Sequence, residues 1–318
     1  MRRYLAARLA QSAIIVVVVT VVAFLLLRLA PGEPFSYENT SPAVQAQWRE
    51  AFGYDKPVGV QLMRYIGNVA RGNLGYSVIQ RRPAGQTIAD ALPRTLQLAF
   101  ISLGLSLIIG VAIGVFTAAR RRSWWDRSFL FGSTVVYSIP DFWLALIIQM
   151  TLGFAFGLFP ISGIADPMAE YGSTWSIFVD RLEHLALPVL TLTLLVSAVV
   201  GRYQRNALLD ILPSDFLRTA RAKGVPEREV ITRHALRNAL TPTISLLGVL
   251  LPGLLGGVYF IEYVFAFPGL GLTTVQAIQA LDYDVATGAV LVSGVVVAVG
   301  SLVSDLLLAL ADPRARHG

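Results

Sequence analysis

The chain has 318 residues, 55% of them hydrophobic and only 14% charged, too few charges to coat a water-soluble globule of that size. Lipid must therefore supply much of its solvent. With no cysteine, disulfides and thiolate metal sites are excluded, and the net charge of +6 does not point to nucleic acid, because the arginines flank apolar runs without interleaved stacking aromatics.

The first apolar run, Leu9 to Leu29, offers about 21 residues, enough at 1.5 Å rise to cross a hydrocarbon core of about 30 Å. Arg2, Arg3 and Arg8 precede it as in a signal peptide, but the run is too long and no small-residue cleavage site follows before Pro31, so an uncleaved signal anchor over residues 1–30 is expected. Next comes a segment of mixed polarity, residues 31–95, with turn signals at Pro31-Gly32, Pro57 and Arg71-Gly72-Asn73. It reads as an external subdomain. Apolar residues at helical spacing predict two short amphipathic helices in it, Ala43 to Phe52 and Val60 to Val69.

Five more apolar runs follow: Leu96 to Ala119, Phe129 to Phe156, Leu185 to Tyr203, Thr243 to Glu262 and Val285 to Leu310. Six spans put both termini on one side of the membrane. If that side is the cytoplasm, 17 of the 26 Lys and Arg lie inside, as the positive-inside rule requires. Residues 96–310 form the five-helix core in this reading, and 311–318 a cytoplasmic tail. Pro140 and Asp141 fall within the third span. A carboxylate there costs about 2.5 to 3.5 kcal/mol in lipid and must face protein or water. It either lines a pathway, where it could meet a substrate ammonium group, or ties up backbone freed by the proline.

Arg202 to Leu240 is a long cytoplasmic stretch with strong helix signals. Ser214 is placed to cap a helix opening at Asp215, with Arg221 and Lys223 in its last turn before a stop at Gly224. Pro226, with Glu227 and Glu229 behind it, starts a second helix that ends near Arg233, His234 and Arg237. The first helix presents Phe216, Thr219, Ala220 and Lys223 as a compact knob that could enter a groove; alternatively the arginines merely fix topology. Val264 to Asp284 is too polar to span, and Thr273 to Leu281 within it reads as a short surface helix. Glu183 and His184, at a membrane boundary, read as interfacial rather than metal-binding.

No catalytic constellation emerges. The only lysines, Lys56 and Lys223, precede Pro57 and Gly224, so no phosphate-binding Gly-Lys-Ser/Thr loop exists, and no HExxH occurs. An ATP-independent secondary carrier is disfavoured because Asp141 is the one ionisable group near a span centre and the halves show no paired interrupted helices.

Asp215 to Gly224, with Arg233 to Pro242 behind it, resembles the signature loop of binding-protein-dependent ABC importer permeases, in the branch for dipeptides, oligopeptides and nickel. Further blocks agree in order across essentially the whole chain: Pro31-Gly32-Glu33-Pro34, Asp55-Lys56-Pro57, Asn73-Leu74-Gly75-Tyr76-Ser77, Leu92-Pro93-Arg94-Thr95-Leu96, Ser138-Ile139-Pro140-Asp141-Phe142-Trp143, Phe267-Pro268-Gly269-Leu270-Gly271, and Asp305 with Asp312-Pro313-Arg314. The general importer signature begins Glu-Ala-Ala, whereas Arg218-Thr219-Ala220 stand here.

The resemblance implies an all-α membrane protein with the type I ABC importer transmembrane fold, and a coupling loop at about residues 204–240. Within it Asp215, Phe216, Arg218, Thr219, Ala220, Arg221, Ala222, Lys223 and Gly224 would dock into a cytoplasmic ATPase. Pro140, Asp141, Phe142 and Trp143 would border the substrate pathway, and Phe267, Pro268, Gly269, Leu270 and Gly271 an external gate or receptor contact. Implied partners are a second permease, homologous or identical, two ATPase subunits that carry the ATP and magnesium, and an external substrate-binding protein. No cofactor or metal is implied on this chain. The cargo implied is a di- or oligopeptide, with nickel or another small solute as the alternative.

Overall fold

A computed structural model describes residues 2–30 and 41–311. The blocks expected at Pro31 to Pro34 and Asp312 to Arg314, and with them the tail, lie outside the described residues. In chain order the helices are α1 (Arg2–Leu29), α2 (Pro42–Phe52), α3 (Val58–Val69), α4 (Ala84–Ala119), α5 (Trp124–Ser138), α6 (Asp141–Ile148), α7 (Thr174–Ile211), α8 (Asp215–Ala222), α9 (Glu227–Glu229), α10 (Leu236–Val264), α11 (Leu270–Gln279) and α12 (Tyr283–Ala311). A two-stranded antiparallel hairpin, Tyr76–Ser77 with Arg82–Pro83, is a small addition to the all-α expectation. Among the described residues five helices are long and apolar enough to cross a membrane, and the bent pair Trp124–Ser138 and Asp141–Ala155 makes a sixth if it counts as one span.

That bent pair shows what Pro140 does to the third apolar run. Proline lacks the N–H for the helical ladder and drives the residue before it out of the α region. Ile139 is accordingly extended (φ −86°, ψ 130°), and the axis turns by 107°. Asp141 stands in the first turn of α6, where a carboxylate complements the positive helix pole. From Gln149 to Ala155 the chain continues as a π-helix.

The chain divides into two compact units. The first comprises residues 1–95 and 268–298. Ala84, Ala277, Val285 and Ala286 pack against Leu27 and Leu74 in it, beside a second cluster of Ile88, Ala91, Leu270 and Ala289. Polar ties reinforce these contacts. Ser77 Oγ donates to Asp282, the Tyr76 amide donates to Asp284 Oδ2 at 3.1 Å, and the Arg28 guanidinium sits over the rings of Tyr54 and Tyr283 at 4.2 and 4.8 Å. Burial pushes the Asp282 carboxyl above its usual range, against the opposing hydrogen bond from Ser77.

The second unit comprises residues 96–267 and 299–318. Its core runs through Leu98, Leu103, Leu144, Ile148, Leu187, Leu192, Ile261, Phe265 and Phe267, with α7 the most enclosed span. Helices α4 and α7 meet closely because Gly114 has no side chain: a Cβ there would lie 2.7 Å from the Gly201 carbonyl oxygen and 3.0 Å from the Arg205 nitrogen.

Candidate functional site

The short helix expected to open at Asp215 exists as α8. Asp215 to Ala222 form it, Thr219 Oγ1 donates to the Asp215 carbonyl at 2.9 Å, and Gly224 follows with φ +79°, the left-handed conformation that glycine adopts without strain. The chain reverses through hydrogen bonds from the Gly224 amide to Arg221 O and from the Val225 amide to Ala220 O. Ser214 occupies the N-cap position, but its side chain makes no capping bond and its buried Oγ has no hydrogen-bond partner.

Arg221 spans the turn. Its Nε and Nη2 each reach a Glu227 carboxylate oxygen at 2.9 Å, and Nη1 donates to Leu212 O at 3.3 Å. The Glu227 hydrogen bonds raise the Arg221 pKa further, so this cation persists at every physiological pH. The second helix does not end within the loop. From Pro226 it runs through Glu227–Glu229 and a π stretch, Val230–Ala235, directly into α10, because no glycine or proline interrupts it before Pro242. The loop is one short helix hinged to the root of a long one.

Two faces of α8 differ. Phe216 is 47% exposed, and Asp215, Arg218, Thr219, Ala222 and Lys223 are exposed with it, leaving a surface with one large apolar side chain at its centre. Leu217 points the other way and is wholly buried among Ala118, Ala207, Leu208, Val230, Ala235 and Ala239, with Ala220 packed against the same cluster. Helical spacing drew attention to Phe216 and missed Leu217. The signal lay in the apolar residues of α4, α7 and α10, which no local pattern connects.

At the break between α5 and α6, Tyr137, Ser138, Ile139, Pro140 and Asp141 line a cavity of about 500 Å³ against Leu195, Val199 and Leu250. A second cavity, of about 710 Å³, shares Tyr137, Val199 and Leu250 and extends past Ser133 to Arg202, Tyr203, Asn206 and Asp210. They share a wall and so make a groove in which Asp141 lines one cavity, Arg202, Tyr203 and Asp210 line the other, and Tyr137 lines both. Pro140 and Asp141 line it. Phe142 and Trp143 do not: Phe142 packs on Phe260 with ring centroids 6.2 Å apart, and Trp143 is exposed.

The segment expected to be an external gate holds buried anchors. Phe267 is enclosed in the core of the second unit, and Leu270 in that of the first. In the first unit, Thr95 Oγ1 accepts from the Leu270 amide at 2.7 Å and Arg94 Nη1 donates to Pro268 O at 3.1 Å. Gly269 is the N-cap of α11, and Gly271 lies in its first turn. His184 is buried, its Nδ1 2.8 Å from Asp180 O and 3.3 Å from Asp180 Oδ1. Among the described residues no three His, Cys, Asp or Glu converge on a metal position.

Comparison with known proteins covers both ends of the chain. Residues 110–317 match the family described as binding-protein-dependent transport system inner membrane component, and residues 1–99 match the N-terminal family of such membrane components. The chain is 36% identical over 321 residues to the oligopeptide transport system permease protein AppB of Bacillus subtilis, covering 100% of both chains. It is 34% identical over 316 residues to the di/tripeptide transport system permease protein DppB of Pseudomonas aeruginosa, covering 94% of each.

Proposed function

The chain belongs to the binding-protein-dependent transport system inner membrane component family, and from that premise we propose that it is the pore-forming subunit of an ABC importer that carries di- or oligopeptides inward. End-to-end similarity to permeases named for oligopeptides and di/tripeptides is the observation that carries the cargo class. The groove supports it: a peptide brings an ammonium group, a carboxylate and hydrogen-bonding amides, and the groove offers Asp141, Arg202 and neutral polar side chains.

In this reading residues 1–30 anchor the chain, residues 31–95 face outward to meet an external substrate-binding protein, residues 96–310 form the permease core, and residues 311–318 lie inside. Both termini are cytoplasmic in the inner membrane. A second permease, homologous or identical, completes the pathway, and two cytoplasmic ATPase subunits bind ATP and magnesium. The exposed face of α8, with Phe216 at its centre, enters an ATPase cleft. ATP binding shifts the inward and outward states only through a difference in affinity for them, so the docking element must be held stiffly to the spans. Leu217 and the Arg221–Glu227 pair supply that stiffness.

The test is reconstitution with partner permease and ATPases in proteoliposomes. Adding a peptide-loaded receptor should raise ATP turnover and drive uptake, and Gly224→Val should abolish the stimulation, because a β-branched residue at φ +79° is strained even though space is open around it. Uptake by this chain without ATP or ATPase subunits would overturn the proposal.

A further inference from the structure

We propose that the buried Asp126–Arg205 ion pair is a positioning strut that makes α5 move with α7, so that displacement of the docking helix reaches the groove beside Asp141. The inference rests on the importer reading above and adds residues to it. Leu217 fixes α8 to the inner ends of three helices, through Ala118 of α4, Ala207 and Leu208 of α7, and Ala239 of α10. No α5 residue belongs to that socket. Yet α5 carries Ser133, Tyr137 and Ser138 on the groove wall and ends at the break before Asp141.

Apolar packing holds α5 to α7, as where Phe129 lies against Gly201, and the directional link is at the start of α5. Asp126 is 2% exposed, and its carboxylate receives two parallel bonds from Arg205, Nε to Oδ1 at 2.5 Å and Nη2 to Oδ2 at 2.9 Å. Oδ2 also accepts the Arg122 amide at 2.9 Å, in a turn where Arg122 holds φ +65°. Two parallel bonds to a planar guanidinium fix orientation as well as distance, which a sliding apolar contact does not.

Arg205 stands in a short stretch of α7 that meets three neighbours. Gln204, beside it, accepts from Thr243 Oγ1 of α10 at 2.7 Å, and Ala207 and Leu208 line the Leu217 socket. Residues 204–208 thus join α10, the docking helix and α5. A buried ion pair adds little net stability over an apolar substitute, so its directional grip is the property that sets it apart here.

The absence of cysteine allows a direct test in the assembled transporter. Spin labels on Phe131→Cys, 73% exposed on α5, and Leu194→Cys on α7 report the distance between the two helices with and without ATP. The distance should stay fixed through the nucleotide cycle with Asp126 present and change with nucleotide in Asp126→Asn. In the unlabelled assembly, Asp126→Asn and Arg205→Lys should hydrolyse ATP yet import about fivefold less peptide per ATP or worse, in line with typical coupling free energies. The exchanged pair Asp126→Arg/Arg205→Asp should recover part of the loss. Should Asp126→Asn fail to assemble, Arg205→Lys, which keeps the charge but loses the fork, decides the matter. Unchanged peptide per ATP in the single variants, or an α5–α7 distance that already varies with nucleotide when Asp126 is present, overturns the strut alone. Absence of ATP-dependent uptake by the unmodified assembly would instead overturn the importer reading.

Discussion

Replacing Leu217 by alanine should free α8 without unfolding the protein. Leu217 is the one residue of α8 that is wholly buried. Truncating a buried leucine to alanine costs about 2 to 5 kcal/mol, through lost transfer energy and the cavity left behind. The other side-chain tie, Arg221 to Glu227, is partly exposed and worth about 1 kcal/mol at most. At about 1.4 kcal/mol per factor of ten, Leu217→Ala should shift local opening of α8 by about 30-fold or more, and Arg221→Ala by about fivefold or less. Hydrogen exchange of residues 216–222 in nanodiscs reads this directly, with the amides of α7 as an internal reference expected to stay protected. Exchange in Leu217→Ala within about threefold of the unmodified chain, or a larger effect from Arg221→Ala, would refute the assignment of the anchor.

Two further substitutions probe helix packing and the pathway. Gly114→Ala should lower thermal stability by about 1 to 3 kcal/mol, because its Cβ meets backbone atoms of α7 that cannot step aside; Gly132→Ala, with nothing within 4 Å, should be neutral or stabilising by up to about 1 kcal/mol. Equal melting temperatures for the two would sink the close-approach argument. Asp141→Asn should reduce uptake of peptides with a free N-terminus by about fivefold, the worth of one partly solvated charge pair, and leave N-acetylated peptides unaffected. Equal losses for both would remove the ammonium contact.

The apolar spans and the existence of α8 were legible because each depends on a contiguous run: about twenty apolar residues in one case, and in the other an acidic start, basic end and glycine stop. The short helices Pro42–Phe52, Val58–Val69 and Leu270–Gln279 also arise from local pattern. The bend of the third span at Pro140 was not legible. Prolines 93, 188, 242 and 252 sit inside continuous helices here, so a proline in an apolar run does not by itself specify a break.

The sequence by itself determined that lipid is much of the chain's solvent, where its long apolar helices lie and where a short polar helix stands between them. Tertiary structure decided which side of that helix is anchor and which is surface, because Leu217 and Phe216 are adjacent apolar residues and only the hollow between α4, α7 and α10 tells them apart. It also decided that Phe267 and Leu270 are buried, and that Asp126 meets Arg205 across 79 positions of sequence. Periodicity carries information over one or two helical turns, whereas burial and ion pairing depend on what arrives from elsewhere in the chain.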